Sequence, residues 1–96
     1  MSERFKELPE KKQLSILRAA IEVFAKYEYK KASTDLIASK AGVSKGLLFY
    51  YFHNKKDLYL TVYEYVKRII ILLYILFTFH FQITRDFFSI GIKGAY

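Results

Sequence analysis

The stretch TDLIASKAGVSKGLLFYYFHNKKD, residues 34–57, predicts two short helices joined by a tight turn. Ser33 or Thr34 can cap the first helix, because a hydroxyl oxygen there accepts a hydrogen bond from an unpaired backbone N–H of the first turn. Gly42 is expected to end that helix in a left-handed conformation, which glycine adopts without steric cost. Ser44 is expected to cap the second helix. Two short capped helices around one glycine indicate a helix-turn-helix, whose second helix normally enters the major groove of DNA.

The second short helix, from about residue 45 to residue 52, is predicted to have a buried face and an outward face. Leu48 and Phe52 are four residues apart and should face the core. The outward face then carries Lys45, Gly46, Leu47, Tyr50 and Tyr51. Gly46 in the first turn of a helix costs roughly 1 kcal/mol relative to alanine. Close approach of the helix backbone to DNA would account for a glycine at that position.

Helical periodicity predicts one further helix on each side of this motif. From about residue 10 to residue 27, apolar side chains recur every three or four positions, so this segment should pack beneath the two short helices. The positions expected to face the core are Leu14, Leu17, Ile21 and Phe24, with Ile16, Ala20 and Val23 beside them. The last helix should begin near Lys55, with Asn54 as its cap.

The segments outside these helices have separate expectations. Residues 1–9 are expected to form a mobile charged arm, and Tyr29 is expected to fold back into the core.

The charge of the chain favours a nucleic-acid partner. The 96 residues contain 16 Lys and Arg against 9 Asp and Glu, which gives a net charge of +7. Most of the excess lies in residues 1–68, which have 14 basic and 8 acidic side chains. The basic region therefore coincides with the helix-turn-helix, as a phosphate-facing surface requires. Charge alone is equally consistent with a solvated basic face.

Enzyme and metal chemistry have no support in the sequence. Cysteine is absent, which excludes disulfide bonds and thiolate metal sites within the chain. His53 and His80 are isolated from other metal-ligating residues, and no nucleophile–base pair, glycine-rich phosphate loop or pair of catalytic carboxylates is evident. The charged N-terminus lacks the apolar core of a signal peptide. We therefore predict a cytoplasmic protein with no catalytic residues, no metal site and no cofactor.

Residues 69–84 form a run of sixteen residues without a formal charge. A helix that is apolar on every side must be buried on every side, and 96 residues are too few to enclose it. The run is shorter than the ~20 residues that cross the hydrocarbon core of a bilayer. Burial against a partner subunit, a partner helix or further chain is therefore favoured, with a membrane anchor over residues 62–83 as the alternative. Periodicity does not exclude a β-strand for this run, because the run is rich in β-branched and aromatic residues.

Several short motifs in one register give residues 12–66 a resemblance to the N-terminal domain of the tetracycline-repressor (TetR) family of bacterial transcriptional regulators. The matching motifs are Ile37-Ala38, Ala41-Gly42-Val43-Ser44, Lys45-Gly46, Phe49-Tyr50-Tyr51-Phe52 and Lys55-Lys56-Asp57-Leu58. The resemblance implies an all-α fold with a helix-turn-helix DNA-binding domain in residues 1–54. Residues 55–96 would hold the connecting helix and the truncated start of a helical regulatory and dimerisation domain.

The resemblance also implies partners and a mode of regulation. It implies a repressor that binds a palindromic double-stranded DNA operator as a homodimer. A small-molecule inducer would release the DNA, although most of its pocket would lie outside this chain.

The resemblance further implies which residues contact DNA. They are Ser33, Thr34, Ser44, Lys45, Gly46, Leu47, Phe49, Tyr50, Tyr51 and Lys55. Leu47 has no hydrogen-bond donor, so it would at most contact a thymine methyl group. Core packing is the alternative role for Phe49. Glu28 stands where the family usually has a glycine between its first two helices, so the first helix is expected to be a turn longer here.

Overall fold

The computed structural model describes residues 3–95, with side chains through residue 94, and all their secondary structure is helical. The helices are α1 (Glu3–Lys6), α2 (Glu10–Lys26), α3 (Thr34–Ala41), α4 (Lys45–Tyr51) and α5 (Lys55–Ala95). The all-α prediction is confirmed, and the alternative that residues 69–84 form a β-strand is wrong. The chain divides into two compact units, Met1–Glu64 and Tyr65–Tyr96. The predicted domain boundary after residue 54 stays a prediction.

The first unit has a small core in which α2 packs against α3, and α3 against α4. Its largest fully buried side chains are Phe5, Ile16, Val23, Ile37, Leu48, Phe52 and Leu58. Leu17 is buried as predicted, but Leu14 is 47% exposed. Ile16, Ala20 and Val23, which are predicted beside these positions, are also buried. Ala19 is buried as well, because small side chains allow a neighbouring helix to approach closely. The predicted apolar face of α2 is therefore partly wrong.

The segment around α1 corrects the prediction of a mobile arm. Phe5 is fully buried, and its ring centroid lies 5.1 Å from that of Phe52. The side-chain amide of Gln13 donates hydrogen bonds to the backbone carbonyls of Lys6 (3.1 Å) and Leu8 (2.8 Å), which ties this segment to α2. The prediction is therefore wrong for the described part of the arm, whose first two residues lie outside the described range.

The connection between α2 and α3 also differs from the prediction. α2 ends at Lys26, and Tyr27 has extended backbone angles (φ −118°, ψ 146°), so Glu28 does not lengthen the helix. The Glu28 carbonyl accepts backbone hydrogen bonds from Lys31 (2.9 Å) and Ala32 (2.8 Å). These bonds close a turn that needs no glycine at this position.

The second unit consists of the remainder of α5, and its side chains are exposed. Every described side chain from residue 67 to residue 94 is exposed, including Phe77 (68%) and Phe87 (78%). Over Lys55–Gly94 the helix is long and apolar enough to cross a membrane by length and composition, and its most apolar window has no buried residue. The uncharged run is therefore a helix that the described part of the chain does not cover.

Candidate nucleic-acid interface

The corner between α3 and α4 has the backbone conformation that the sequence predicts. Gly42 follows α3 with φ 73° and ψ 30°, in the left-handed region. Its N–H donates to the carbonyl of Ser39 at 3.1 Å, and the N–H of Val43 donates to the carbonyl of Ala38 at 3.0 Å. A Cβ atom on Gly42 would meet no heavy atom within 4 Å, so the backbone angle, not a lack of space, requires glycine. This corner fixes the direction in which α4 leaves α3.

Serine hydroxyls cap both helices of the motif, as predicted. Ser33 Oγ accepts a hydrogen bond from the Leu36 N–H at 3.1 Å, and Ser44 Oγ accepts one from the Leu47 N–H at 3.0 Å. Of the two candidate caps, Ser33 is the one that caps α3, because Thr34 is already the first residue of the helix. Each hydroxyl satisfies one of the orphan donors of its helix, and the other N–H groups of the first turn are available to an anion.

α4 has the buried and outward faces that the sequence predicts. Leu48 is fully buried, and Phe52, directly after the helix, is 1% exposed. The exposed residues of α4 are Lys45, Gly46, Leu47 and Tyr50. Phe49 and Tyr51 are half-buried, so each ring packs partly on the protein and is partly accessible. The helix therefore offers a lysine, a glycine and aromatic rings on one accessible surface.

An ion pair connects the beginnings of the two helices of the motif. Lys45 Nζ lies 3.2 Å from Asp35 Oδ1, and both side chains are largely exposed. Asp35 lies in the first turn of α3, where its negative charge also interacts favourably with the helix dipole. An exposed pair of this kind contributes about 0–1 kcal/mol, so Lys45 can exchange this carboxylate for a phosphate at little energetic cost.

Arg4, in α1, adds a cation beside α4 that the sequence analysis did not identify. Its guanidinium carbon lies 4.8 Å from the centroid of the Tyr50 ring. The Tyr50 ring meets the Tyr51 ring edge-on, with centroids 5.1 Å apart. The shallow depression at this place is lined by Glu3, Arg4, Tyr50, Tyr51 and His53. The sequence signal for this contact is Phe5, the aromatic residue of an otherwise charged segment that also contains Leu8.

Lys55 begins α5 and lies beside a cluster of three aromatic rings, Phe24, Tyr29 and Tyr59. Its Nζ is 4.7 Å from the centroid of the Tyr29 ring. Tyr29 stacks on Phe24 with centroids 6.3 Å apart, so it folds back as predicted, but it keeps 40% of its surface exposed and does not enter the core. Asn54 caps α5 as predicted, because its Oδ1 accepts a hydrogen bond from the Asp57 N–H at 2.8 Å. Lys55 is therefore held at the start of a capped helix, with its ammonium over a ring.

Comparison with known proteins identifies the part of the chain that carries this motif. Residues 16–62 match the family described as bacterial regulatory proteins, tetR family. These residues include most of α2, all of α3 and α4, and the start of α5.

Three curated relatives show how far the similarity extends. The fatty acid metabolism regulator protein of Bacillus subtilis (strain 168) is 36% identical over 53 residues, which are 55% of this chain and 27% of the relative. The transcriptional activator FasR of Mycolicibacterium smegmatis is 47% identical over 49 residues, or 51% and 22% of the two chains. The transcriptional regulator RutR of Escherichia coli (strain K12) is 41% identical over 51 residues, or 53% and 24%.

The matched segments thus span about a quarter of the length of these relatives. All three are regulators by name, two of them are named as transcriptional, and one of those two is an activator. Their similarity, the family match and the capped helix-turn-helix agree with one another. Through residues 16–62, this chain belongs to the TetR family of DNA-binding bacterial transcriptional regulators.

Proposed function

We propose that the chain binds a palindromic DNA operator as a homodimer, through α4, and represses transcription in the cytoplasm. The observation that carries this proposal is the outward face of α4. The Gly42 corner directs that face away from the core, and Leu48 anchors the opposite side. A helix held in this way inserts its first residues into the major groove.

Gly46 supports close approach of α4 to a second molecule. A Cβ atom at this position would meet no heavy atom of the protein within 4 Å, and the residue lies within the regular helix. The fold therefore gains nothing from glycine here and loses roughly 1 kcal/mol of helix propensity relative to alanine. A phosphate or base edge at the backbone of Gly46 is a reason for the missing side chain.

The remaining assignments follow from the chemistry of each accessible group. Lys45 and Lys55 would bind phosphates, and Tyr50 and Tyr51 have hydroxyls that can donate to phosphate or base edges. Leu47 would contact a thymine methyl group. The other proposed contacts lie at the starts of α3 and α4, together with one half-buried aromatic ring of α4. They are Ser33, Thr34, Ser44 and Phe49.

The apolar side chains of α5 support the homodimer. In the second unit Phe77, Phe87 and their neighbours are exposed, which in water favours association with another apolar surface. A dimer also fits a two-fold operator, since its two recognition helices then read half-sites about one DNA turn apart. Release by a small molecule is proposed for the regulator as a whole, and no residue of this chain is assigned to the inducer.

Selection of bound duplexes from a random DNA pool tests the proposal. The unaltered chain should enrich a palindrome whose half-site centres are about 10 base pairs or a multiple of that distance apart. Sedimentation of the selected complex should show two chains per duplex. A pool without enrichment, or an enriched site without two-fold symmetry, contradicts the proposal.

A second candidate function is a membrane-associated protein anchored by α5. The observation in its favour is that Lys55–Gly94 is long and apolar enough to cross a membrane. Anionic lipid would then attract the basic first unit. Cell fractionation distinguishes the two candidates, because the anchored protein should require detergent for extraction and should show no affinity for duplex DNA.

A further inference from the structure

We propose that Arg4 binds a DNA phosphate beside the recognition helix, held in place by the burial of Phe5. This inference rests on the proposed function, because it extends the DNA-binding face of α4 to a residue outside the helix-turn-helix. It also lies outside residues 16–62, the segment that matches the family.

The position of Arg4 is fixed by its neighbour in the chain. Phe5 is fully buried, and its ring packs at 5.1 Å against that of Phe52, the residue that follows α4. Gln13 holds the far end of the segment through hydrogen bonds to the carbonyls of Lys6 and Leu8. The segment is thus attached to the end of α4 on one side and to α2 on the other, so Arg4 does not have to be ordered when DNA binds.

The geometry of Arg4 leaves its donors free for an anion. Its guanidinium carbon lies 4.8 Å from the centroid of the Tyr50 ring, and the arginine side chain is otherwise exposed. A guanidinium on the face of a ring keeps its N–H groups in a plane at the edge, where two can bind one phosphate. Tyr50 is itself 55% exposed and is a proposed DNA contact, so the ring and the cation form one continuous surface.

The charges around Arg4 favour an anion. Among residues 3–94, no carboxylate lies within ion-pair distance of its guanidinium. Glu3 is the acidic residue that lines the same depression, and its carboxylate pairs with Lys6 Nζ at 3.4 Å. An arginine used only for structure would gain from such a carboxylate partner, whereas one that binds phosphate has to keep its donors available.

The test measures affinity for a short duplex enriched by the unaltered chain from a random pool, over a series of salt concentrations. Arg4→Gln should weaken binding about five- to tenfold near 0.1 M salt. It should also make the plot of log K against log salt less steep by about 0.9 for each chain on the duplex, or about 1.8 for the dimer. Arg4→Lys should keep most of the slope because it keeps the charge. Arg18→Gln, the same change at an exposed position of α2, is the matched control and should leave affinity and slope unchanged.

Three outcomes would overturn the inference, and they separate it from the proposed function. If Lys45→Gln weakens binding but Arg4→Gln behaves like Arg18→Gln, the inference fails while the proposed function stands. If Arg4→Gln lowers affinity without changing the slope, Arg4 only positions Tyr50 and does not bind phosphate. If the unaltered chain enriches no duplex, the proposed function fails and the inference fails with it.

Discussion

The two units of the chain use the same kinds of apolar residues in opposite ways. In the first, Met1–Glu64, side chains such as Ile37 and Leu48 are fully buried, and polar residues lie on the outer surfaces. In the second, Tyr65–Tyr96, residues such as Ile75 (54% exposed) have no cover in the described part of the chain. The difference lies in how apolar residues are distributed around each helix. One neighbouring helix can cover the apolar face of an amphipathic helix, but it cannot cover a helix that is apolar on every side. The first unit therefore forms its own core, while the second is left uncovered by the described part of the chain.

The largest effect is expected from truncating a core residue of the first unit. Ile37→Ala should destabilise that unit by about 2–5 kcal/mol, because it removes a fully buried side chain and leaves a cavity. Ile75→Ala, the same change in the second unit, should leave the unfolding of the first unit unchanged and affect only association. Urea unfolding followed by tyrosine fluorescence, together with sedimentation, checks both. Equal destabilisation by the two changes would contradict the division between a covered and an uncovered unit.

The glycine corner should show the next largest effect. Gly42→Ala should cost about 1–2 kcal/mol, because φ is 73° and a residue with a Cβ atom is strained in the left-handed region. The thermal midpoint measures the loss, and duplex affinity should fall with it because the direction of α4 changes. An unchanged midpoint would mean that the chain adopts a different turn at this position.

Gly46→Ala is the counterpart within the recognition helix, and here stability and binding should change in opposite directions. The substitution should stabilise the fold by up to about 1 kcal/mol, since glycine is a poor helix former and the position has free space. It should also weaken duplex binding by roughly tenfold, equivalent to about 1.4 kcal/mol, if the backbone of α4 lies against DNA. Stabilisation without loss of affinity would exclude that close approach.

The smallest effect is expected from the ion pair at the start of α4. Asp35→Asn frees Lys45 from its carboxylate at 3.2 Å and removes a negative charge near the proposed phosphate site. Duplex affinity should rise by a few-fold at low salt, with little change in stability, because the exposed pair is worth about 0–1 kcal/mol. Asp86→Asn, on α5, is a matched control with no expected effect. A lower affinity for Asp35→Asn would mean that the carboxylate positions the lysine for binding.

The sequence predicts the features of the fold that depend on local chemistry. The caps at Ser33, Ser44 and Asn54 and the left-handed Gly42 are confirmed, because each depends on a hydrogen bond or a backbone angle within a few residues. The family is also confirmed, since its motifs lie within one continuous segment. The DNA contacts of the individual residues stay predictions.

The features that the sequence did not reveal depend on contacts between distant residues. Phe5 lies in a charged segment that is too short to show helical periodicity, so the sequence does not reveal that its ring packs on Phe52. The burial of Ala19 and the exposure of Leu14 depend on where a second helix approaches α2, which the periodicity of α2 alone does not show. The same holds for Arg4, whose place beside Tyr50 follows from the burial of Phe5.

Whether α4 is the surface that binds DNA can be measured by the salt dependence of duplex binding for two matched lysine substitutions. Lys45→Ala, on α4, should weaken binding and make the plot of log K against log salt less steep by about 0.9 for each chain on the duplex, or about 1.8 for the dimer, as expected for one lost phosphate contact per chain. Lys93→Ala, on α5, should leave both quantities as they are in the unaltered chain. If the two substitutions change binding equally, or if neither changes it, α4 is not the surface that binds DNA.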